Sequence, residues 1–294
     1  RTGAAHGESS GGPRGLAAAA ARGASSFMPL RLRTALLGLL AATLLLPRTA
    51  LAAPPLAHAH NDYEHRRPLH DALARGFMGV EADVWLVDGA LLVAHDRKDL
   101  RPERTLQSLY LDPLRERVRA NGGFVQTGRE GFTLLIDVKS SAGPTYAALH
   151  EVLAGYAALL TEFRGDGLDR RAVTVIISGN RDEAAMRAQP VRHAAMDGRK
   201  AHLDSDAPAS LVPWVSENWR TLSTWNWAGP MPPDVRRTLG EWVAKAHARG
   251  RLLRFWNVPD TPVAWAQLLE AGVDVIGADD LAALEAFLAA RPAR

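Results

Sequence analysis

The chain of 294 residues contains no cysteine. This absence excludes a disulfide-stabilised scaffold, a thiolate zinc site, a cysteine nucleophile and a lipid-modified N-terminal cysteine, so any metal must bind through oxygen or imidazole ligands. The chain also lacks the compositional bias of collagen-like, coiled-coil and disordered proteins, because 47% of its residues are hydrophobic and only 25 are Gly and 18 Pro. The composition therefore indicates a globular protein.

Most of the chain has no excess of positive charge, although the net charge is +3 and the isoelectric point lies near 9.5. Six of the 35 Lys and Arg residues fall within residues 1–52, against one of the 32 Asp and Glu residues, which leaves 29 basic and 31 acidic residues in 53–294. That region has no run of basic residues interleaved with aromatics, which is the pattern typical of proteins that bind the phosphate backbone of a nucleic acid. We therefore expect no nucleic-acid partner.

The N-terminal region has the pattern of a targeting signal. Within residues 28–52, two arginines precede an apolar run over 35–46, and small residues follow it. This order predicts a signal peptide with cleavage before Ala53, and hence export to a periplasm or the medium as a protein that is not a lipoprotein. An uncleaved anchor is the alternative, but the run is shorter than the roughly 20 residues of a membrane span. Residues 1–27 are expected to be disordered or to precede the true start.

The remaining stretch, 53–294, has the usual length of a single (β/α)8 TIM barrel. Short apolar runs alternate with helical patterns, which favours a parallel α/β sheet. The predicted strands are 56–60, 79–85, 133–138, 173–178, 200–203, 214–216, 252–256 and 273–276, with a hairpin at 91–94. The predicted helices are 69–75, 105–120, 145–163, 234–249, 262–271 and 281–290.

Acidic residues lie near the ends of two predicted strands. Glu81 and Asp83 are two residues apart, so both side chains point to the same face. Two carboxylates there need a counter-charge, and a hard divalent cation with Asp137 as third oxygen ligand would supply it. Lys139 shares the face of Asp137. A buried salt-bridge cluster without a metal is the alternative.

Two histidines also end predicted strands. His60 and His95 suit general acid and base roles, because imidazole gains and loses a proton near neutral pH. The alternatives are that His60 is a further metal ligand and that His95 only forms a hydrogen bond at a strand end. Asn61, Asn180 and Trp256 follow strand ends as well, and they are predicted to contact the substrate together with Lys139.

Several segments occur together in a recognisable order: His60-Asn-Asp-Tyr, Gly79-Val-Glu-Ala-Asp-Val-Trp, Leu92-Val-Ala-His-Asp, Leu135-Ile-Asp-Val-Lys, Val175-Ile-Ile-Ser-Gly-Asn-Arg, Gly250-Arg-Leu-Leu-Arg-Phe-Trp and Gly272-Val-Asp-Val-Ile-Gly-Ala-Asp-Asp-Leu. This order resembles the superfamily that joins glycerophosphodiester phosphodiesterases and phosphatidylinositol-specific phospholipases C. From residue 57 onward it most resembles the family named for altered inheritance of mitochondria protein 6.

The resemblance implies a phospholipase C-like TIM barrel with metal-dependent phosphodiesterase activity. It implies one Mg²⁺ or Ca²⁺ and a small-molecule or lipid phosphodiester substrate, with transient contact to a membrane surface; it leaves the oligomeric state open. The residues that match the family are His60 and His95 as catalytic histidines, Glu81, Asp83 and Asp137 as metal ligands, and Lys139 as the positively charged residue that faces phosphate. The His-Arg-Gly sequence usual in glycerophosphodiesterases is replaced by His60-Asn61-Asp62, so glycerophosphodiester and phospholipid head-group substrates both remain candidates.

Two other classes remain open from the residues. An amidohydrolase would use His58 and His60 as a His-x-His metal motif, with Asp279 as its strand-eight aspartate. A barrel that binds a ligand without turnover is the second class. In addition, Trp219, Trp225 and Trp227 lie in a loop-like segment where their rings are candidates to line the mouth of the site.

Overall fold

A computed structural model describes residues 56–291; the predicted signal peptide and residues 1–27 lie outside the described residues. The strands in this range are β1 (Leu56–Ala59), β2 (Gly79–Val87), β3 (Ala90–Val93), β4 (Phe132–Val138), β5 (Glu162–Arg164), β6 (Gly167–Asp169), β7 (Val173–Gly179), β8 (Val191–Arg192), β9 (Ala195–Gly198), β10 (Trp214–Asn218), β11 (Leu252–Trp256) and β12 (Val275–Ala278). The helices are α1 (His70–Ala74), α2 (Asp112–Ala120), α3 (Ala142–Ala154), α4 (Glu183–Ala188), α5 (Trp219–Leu222), α6 (Pro233–Ala248), α7 (Pro262–Glu270) and α8 (Leu281–Ala289).

The main sheet closes into a barrel of parallel strands. Its order is β1, β2, β4, β7, β9, β10, β11 and β12, and β12 pairs with β1 to complete the ring. β3 pairs antiparallel with β2 at the rim, and β6, β5 and β8 form a separate three-stranded sheet. The predicted α/β TIM barrel is therefore confirmed.

Alternation along β2 shows how the sequence divides the two faces of a barrel strand. Val80, Ala82 and Val84 are fully buried in the main hydrophobic core, whereas Glu81 and Asp83 occupy the opposite face. A parallel sheet covered by helices buries both faces, so these carboxylates leave the solvent as well. The expectation that they share one face is correct.

Side-chain N-caps stabilise the first turns of three helices that follow strands. The side chains of Asp182, Thr261 and Asp280 accept hydrogen bonds from backbone N–H groups in the first turns of α4, α7 and α8. These caps fix the residues between each strand end and its helix. Among residues 56–291, no helix combines the length and apolar character that a membrane crossing requires.

The strand predicted at 200–203 is wrong. The barrel strand at this place is β9, and Lys200–Leu203 forms a 3-10 turn instead. His202 Nδ1 accepts a hydrogen bond from the Arg199 backbone N–H at 3.0 Å, which favours a local turn over strand pairing. Because the inward-facing Asp197 interrupts the apolar run, β9 gives a weak sequence signal.

The helix predicted at 145–163 is also too long. α3 ends at Ala154, and Gly155 caps its C-terminus. The chain then enters β5, where Phe163 is buried against Arg192 of β8. The apolar residues between 155 and 163 pack on the core from a turn rather than from a continued helix.

Candidate active site

Three carboxylates meet at the carboxyl ends of β2 and β4. Asp83 and Asp137 are paired across the two strands, and Glu81 lies one layer deeper on β2. One oxygen of each carboxylate lies within 4.8 Å of the others. The structure thus brings together the three residues predicted as metal ligands.

Lys139 shares part of this cluster. Its Nζ lies 2.9 Å from Asp137 Oδ2 and 3.0 Å from Asp83 Oδ2. The other oxygens, Asp83 Oδ1 and Asp137 Oδ1, are buried and have no hydrogen-bond partner among the described residues. Unpartnered buried carboxylate oxygens are costly unless a cation binds them, so the donor set fits a hard divalent ion.

The pKa of Asp83 reflects its burial beside other carboxylates. Burial raises its pKa to about 6, although the charge of Lys139 acts in the opposite direction; Glu81 adds a further upward contribution. A group under such repulsion is stabilised as an anion when positive charge enters the cluster.

Gly179, at the end of β7, has no side chain, and the Asp137 carboxylate occupies the space where a Cβ would lie. Its φ is +66°, and a Cβ built there would lie 1.9 Å from Asp137 Oδ1. Any larger residue would displace the carboxylate. The position therefore requires glycine both for its backbone conformation and for this close approach.

Glu81, the deepest member of the cluster, also forms a buried ion pair with Arg254, and this pairing was not predicted from the sequence. Arg254 Nη2 of β11 lies 2.7 Å from Glu81 Oε2, and His58 Nε2 lies 3.4 Å from the same oxygen. Burial alone would raise the pKa of Glu81, but Arg254 and then the His58 hydrogen bond hold it well below its usual range. Burial, followed by the charge of Arg254, lowers the pKa of His58 to about 4. His58 is therefore neutral at physiological pH.

His95 is held on one side of the cluster. Its Nδ1 lies 3.0 Å from Asp83 Oδ2 and 3.1 Å from the Tyr63 hydroxyl. Tyr63 Oη also lies 2.7 Å from Asp83 Oδ2 and 2.7 Å from Asn61 Oδ1. More than half of the His95 side chain is exposed, so the ring is fixed through Nδ1 and still accessible from the mouth.

His60 is held on the other side by Asp279 of the loop after β12. The Nδ1–Asp279 Oδ1 distance is 2.8 Å, and Asn61 Nδ2 donates to the same oxygen at 3.3 Å. Burial by itself lowers the pKa of His60, but the Asp279 hydrogen bond and the charge of Glu81 raise it overall. The same hydrogen bond lowers the pKa of Asp279.

Asn61 connects the two histidines. It adopts a left-handed backbone conformation with φ 47°, which asparagine tolerates better than most residues. Its side chain then donates to Asp279 and accepts from Tyr63. A continuous network consequently links His60 to His95 around the carboxylates.

The other predicted substrate residues differ in their surroundings. Trp256, at the end of β11, is 41% exposed. Asn180 donates from Nδ2 to the carbonyl oxygens of Lys139 and Ser140, so its amide ties β7 to the β4–α3 loop. Trp219 is buried in the core, and Trp225 and Trp227 pack beside it at centroid distances of 6.4 and 4.4 Å. For Trp219, the mouth-lining interpretation is therefore wrong.

The His-x-His interpretation finds no support in the geometry. His58 contacts the buried Glu81, whereas His60 contacts Asp279, and the metal-ligand cluster found among residues 56–291 contains neither histidine. Separately, a cavity of about 1030 Å³ opens at the other end of the barrel beneath Trp214, and none of the predicted site residues lines it. We place the site at the strand ends because the ligand-type side chains converge there.

Comparisons with known proteins give the family. An AIM6-like phosphodiesterase domain model matches residues 49–193. Altered inheritance of mitochondria protein 6 from Eremothecium gossypii is 32% identical over 266 residues, covering 78% of this chain and 68% of that protein. The chain belongs to this family. The relative from Lachancea thermotolerans is 31% identical, with 77% and 64% covered, and the homolog from Arthroderma benhamiae is 25% identical, with 80% and 84% covered.

Among solved structures, a glycerophosphodiester phosphodiesterase from Agrobacterium tumefaciens aligns with 80% of this chain and 99% of its own, at 15% identity and a TM-score of 0.47. That similarity is too low to carry an argument. The barrel assignment rests instead on the strand order, and the family assignment on the sequence matches.

Two residues of the site, Tyr63 and Arg254, were not predicted from the sequence. Tyr63 contacts Asp83, and Arg254 contacts Glu81. Tyr63 lies three residues after His60, inside one of the quoted segments. Arg254 interrupts an apolar strand two residues before Trp256, on the same face. An inward charge in a barrel strand needs a partner, and that signal was available.

Proposed function

We propose that this domain is a metal-dependent phosphoric diester hydrolase that uses His60 and His95 for general acid and base catalysis. The observation that carries the proposal is the carboxylate cluster, in which Asp83 and Asp137 each have one buried oxygen without a hydrogen-bond partner among residues 56–291. His95 is held by Asp83 of this cluster, and His60 is held by Asp279. The membership in a family with a phosphodiesterase-type domain supports the same reaction class.

Glu81, Asp83 and Asp137 would hold one Mg²⁺ or Ca²⁺ ion. When bound, such an ion neutralises charge on the phosphoryl oxygens as the nucleophile attacks. Lys139 contributes a second positive charge at the same edge, because its ammonium lies against Asp83 and Asp137 and is about one quarter exposed. A positioned cation of this kind stabilises developing oxyanion charge.

The two histidines suit different proton transfers. His60 has a raised pKa and donates through Nδ1 to Asp279, so it can carry a proton on Nε2 to the leaving oxygen. His95 is held through Nδ1 by Asp83 and leaves Nε2 toward the open mouth, where it can accept a proton from water or from a substrate hydroxyl. A cyclic phosphate product would follow if that hydroxyl belongs to the substrate.

The substrate class we propose is a glycerophosphodiester or a phospholipid head-group diester. The exposed indole of Trp256 at the rim offers an apolar surface for a glycerol or acyl part and for transient contact with a lipid surface. The predicted signal peptide, with cleavage before Ala53, supports a location outside the cytoplasm.

Hydrolysis of bis(p-nitrophenyl) phosphate by the full chain tests the reaction class. We expect turnover with Mg²⁺, Ca²⁺ or Mn²⁺, none with EDTA, and loss in both His60→Ala and His95→Ala while calorimetry still detects ion binding. Absence of turnover with every ion, repeated on glycerophosphodiester and inositol-lipid substrates, would instead indicate a binding barrel. Loss of ion binding in both His58→Ala and His60→Ala would indicate the amidohydrolase chemistry.

A further inference from the structure

Two arginines, Arg181 and Arg199, lie near the proposed site, and the proposed reaction gives neither of them a role. Arg199 follows β9, and Arg181 follows β7 by two residues. Both are half-buried. β7 pairs with β4, and β9 pairs with β7, so both arginines follow strands on the same side of the carboxyl end that carries Asp137 and Lys139.

Arg199 is fixed in place. Its Nη1 donates to Asp197 Oδ2 at 2.9 Å and to the Gly198 carbonyl at 3.0 Å, and Nη2 donates to Ser178 Oγ at 3.0 Å. Asp197 is fully buried, and Ser178 Oγ donates to the same Oδ2 at 2.9 Å. A guanidinium has five N–H donors, so Arg199 retains two for another acceptor.

Arg181 is a cation without an anionic partner in the part of the chain that the structure describes. Its one hydrogen bond runs from Nη1 to the Gly179 carbonyl at 3.2 Å, and its Nε is buried and unpartnered. The ion pairs of residues 56–291 include none to Arg181. Burial and then the neighbouring charge of Arg199 lower its pKa.

The carboxylates near these arginines are already used. Asp137 pairs with Lys139, and Asp197 pairs with Arg199. Asp83 pairs with Lys139 as well, so every carboxylate of the corner between β4, β7 and β9 has a cationic partner, and Arg181 is the cation there without an ion pair among residues 56–291. A half-buried, unpaired guanidinium is unfavourable, and an anionic ligand would offset that cost.

We propose that Arg181 and Arg199 form a subsite for a second anionic group on the head group of the substrate. The group is a carboxylate or a phosphomonoester, since either accepts two parallel N–H donors from a guanidinium fork. This inference rests on the proposed phosphodiesterase function and narrows it. Anionic head groups are preferred, and head groups that carry only an ammonium are repelled from this corner.

A matched pair of substrates tests the subsite. Glycerophosphoserine differs from glycerophosphoethanolamine by one carboxylate. We expect the full chain to favour the serine compound at least tenfold in kcat/KM, through KM rather than kcat, and Arg181→Gln to abolish the preference. A parallel comparison of glycerophosphoinositol 4-phosphate with glycerophosphoinositol shows whether a phosphomonoester is accepted as well as a carboxylate.

The control is Arg187→Gln, which removes the same charge from an exposed residue of α4 that pairs with Glu183 at 2.7 Å. It should keep the preference. Arg199→Gln should lose it too, but that variant leaves the buried Asp197 with fewer donors, so its folding has to be verified by thermal unfolding. Arg181→Gln carries the test because Arg181 bonds to one carbonyl alone.

Calorimetric binding separates this inference from the reaction class. In His95→Ala, glycerophosphoserine should bind at least ten times more tightly than glycerophosphoethanolamine, and the additional Arg181→Gln change should remove the difference, whether or not the protein turns over any diester. Equal affinity for the two ligands, or a difference that persists in Arg181→Gln, would overturn the subsite. Turnover of diesters without discrimination would leave the hydrolase intact and refute the subsite alone.

Discussion

The two ends of the barrel interior are built by the same strands and have opposite chemistry. Toward the amino ends, Leu135, Ile176, Trp214 and Val275 form an apolar cluster that is almost fully buried. Two residues further along β4 lies Asp137, and the mouth above it is occupied by carboxylates and their partners. On β4, the change from packing to chemistry therefore occurs between Leu135 and Asp137, whereas on β2 the polar Glu81 already lies beside Leu135.

The two regions differ in what they contribute to stability. Burying an apolar side chain such as Leu135 stabilises the fold by about 1.5–3 kcal/mol. A buried ion pair such as Arg254–Glu81 regains in attraction roughly what it lost in desolvation, so it adds little net stability but becomes costly when one partner is removed. The apolar cluster stabilises the barrel, and the polar groups around Glu81 depend on complete pairing.

The largest expected effect comes from breaking that pairing. Arg254→Met leaves Glu81 buried with His58 as its remaining partner, and we expect a loss of about 3–5 kcal/mol in the free energy of unfolding at pH 7. The loss should be smaller at acid pH, where His58 can take up a proton and replace the missing charge. Urea unfolding with EDTA at several pH values measures this.

Leu135→Ala is the matched change in the apolar cluster. It should cost about 2–5 kcal/mol through lost burial and the cavity it leaves, independently of pH, and ion binding should be unchanged. An Arg254→Met loss that is equally independent of pH would contradict this difference between the ion pair and the apolar cluster.

Removal of Lys139 should affect catalysis instead of folding. Lys139→Met is expected to cost about 2–4 kcal/mol of transition-state stabilisation, which is roughly a 30- to 1000-fold loss in kcat/KM. Ion binding should persist, because the variant frees oxygens of Asp83 and Asp137. Lys98→Met, at an exposed ion pair, is the control. Activity near that of the wild type would remove Lys139 from the mechanism.

A smaller effect concerns pH and the buried His58. Its pKa is 6.5 in the unfolded chain and about 4 in the folded one, so between these values the unfolded chain binds more protons. The free energy of unfolding should therefore fall as pH decreases from 6.5 to 4, by up to about 3 kcal/mol.

Asp62 and Asp83, whose pKa values burial raises to about 6, act in the opposite direction. The contribution of His58 is consequently the difference between the wild type and His58→Gln in urea unfolding with EDTA. Parallel pH dependences in the two proteins would refute it.

The smallest expected effect is a change in the pKa of His60 at the rim of the site. Asp279→Asn removes the charge that raises the pKa of His60, so the pKa should fall, and the alkaline limb of the pH–rate profile should move to lower pH. NMR titration of the His60 ring measures the first change directly. Asp280→Asn, which preserves the cap of α8, is the control and should leave both quantities unchanged.

Much of the fold and of the site could be predicted from local patterns. The period of two along β2 placed Glu81 and Asp83 on one face, and the strand and helix alternation gave the barrel. The fifth strand was missed because β9 has four residues and an inward aspartate, so its apolar pattern is too short to recognise. The end of α3 was missed because the apolar residues after it pack on the core from a turn.

The sequence by itself determined the family and the residue types of the site, because these are carried by short segments whose spacing is local. Only the tertiary structure decided the partners. Arg254 reaches Glu81 across 173 positions, and Asp279 reaches His60 across 219 positions because β12 closes the ring on β1. Pairings of this kind depend on barrel closure and strand register, which no local pattern encodes.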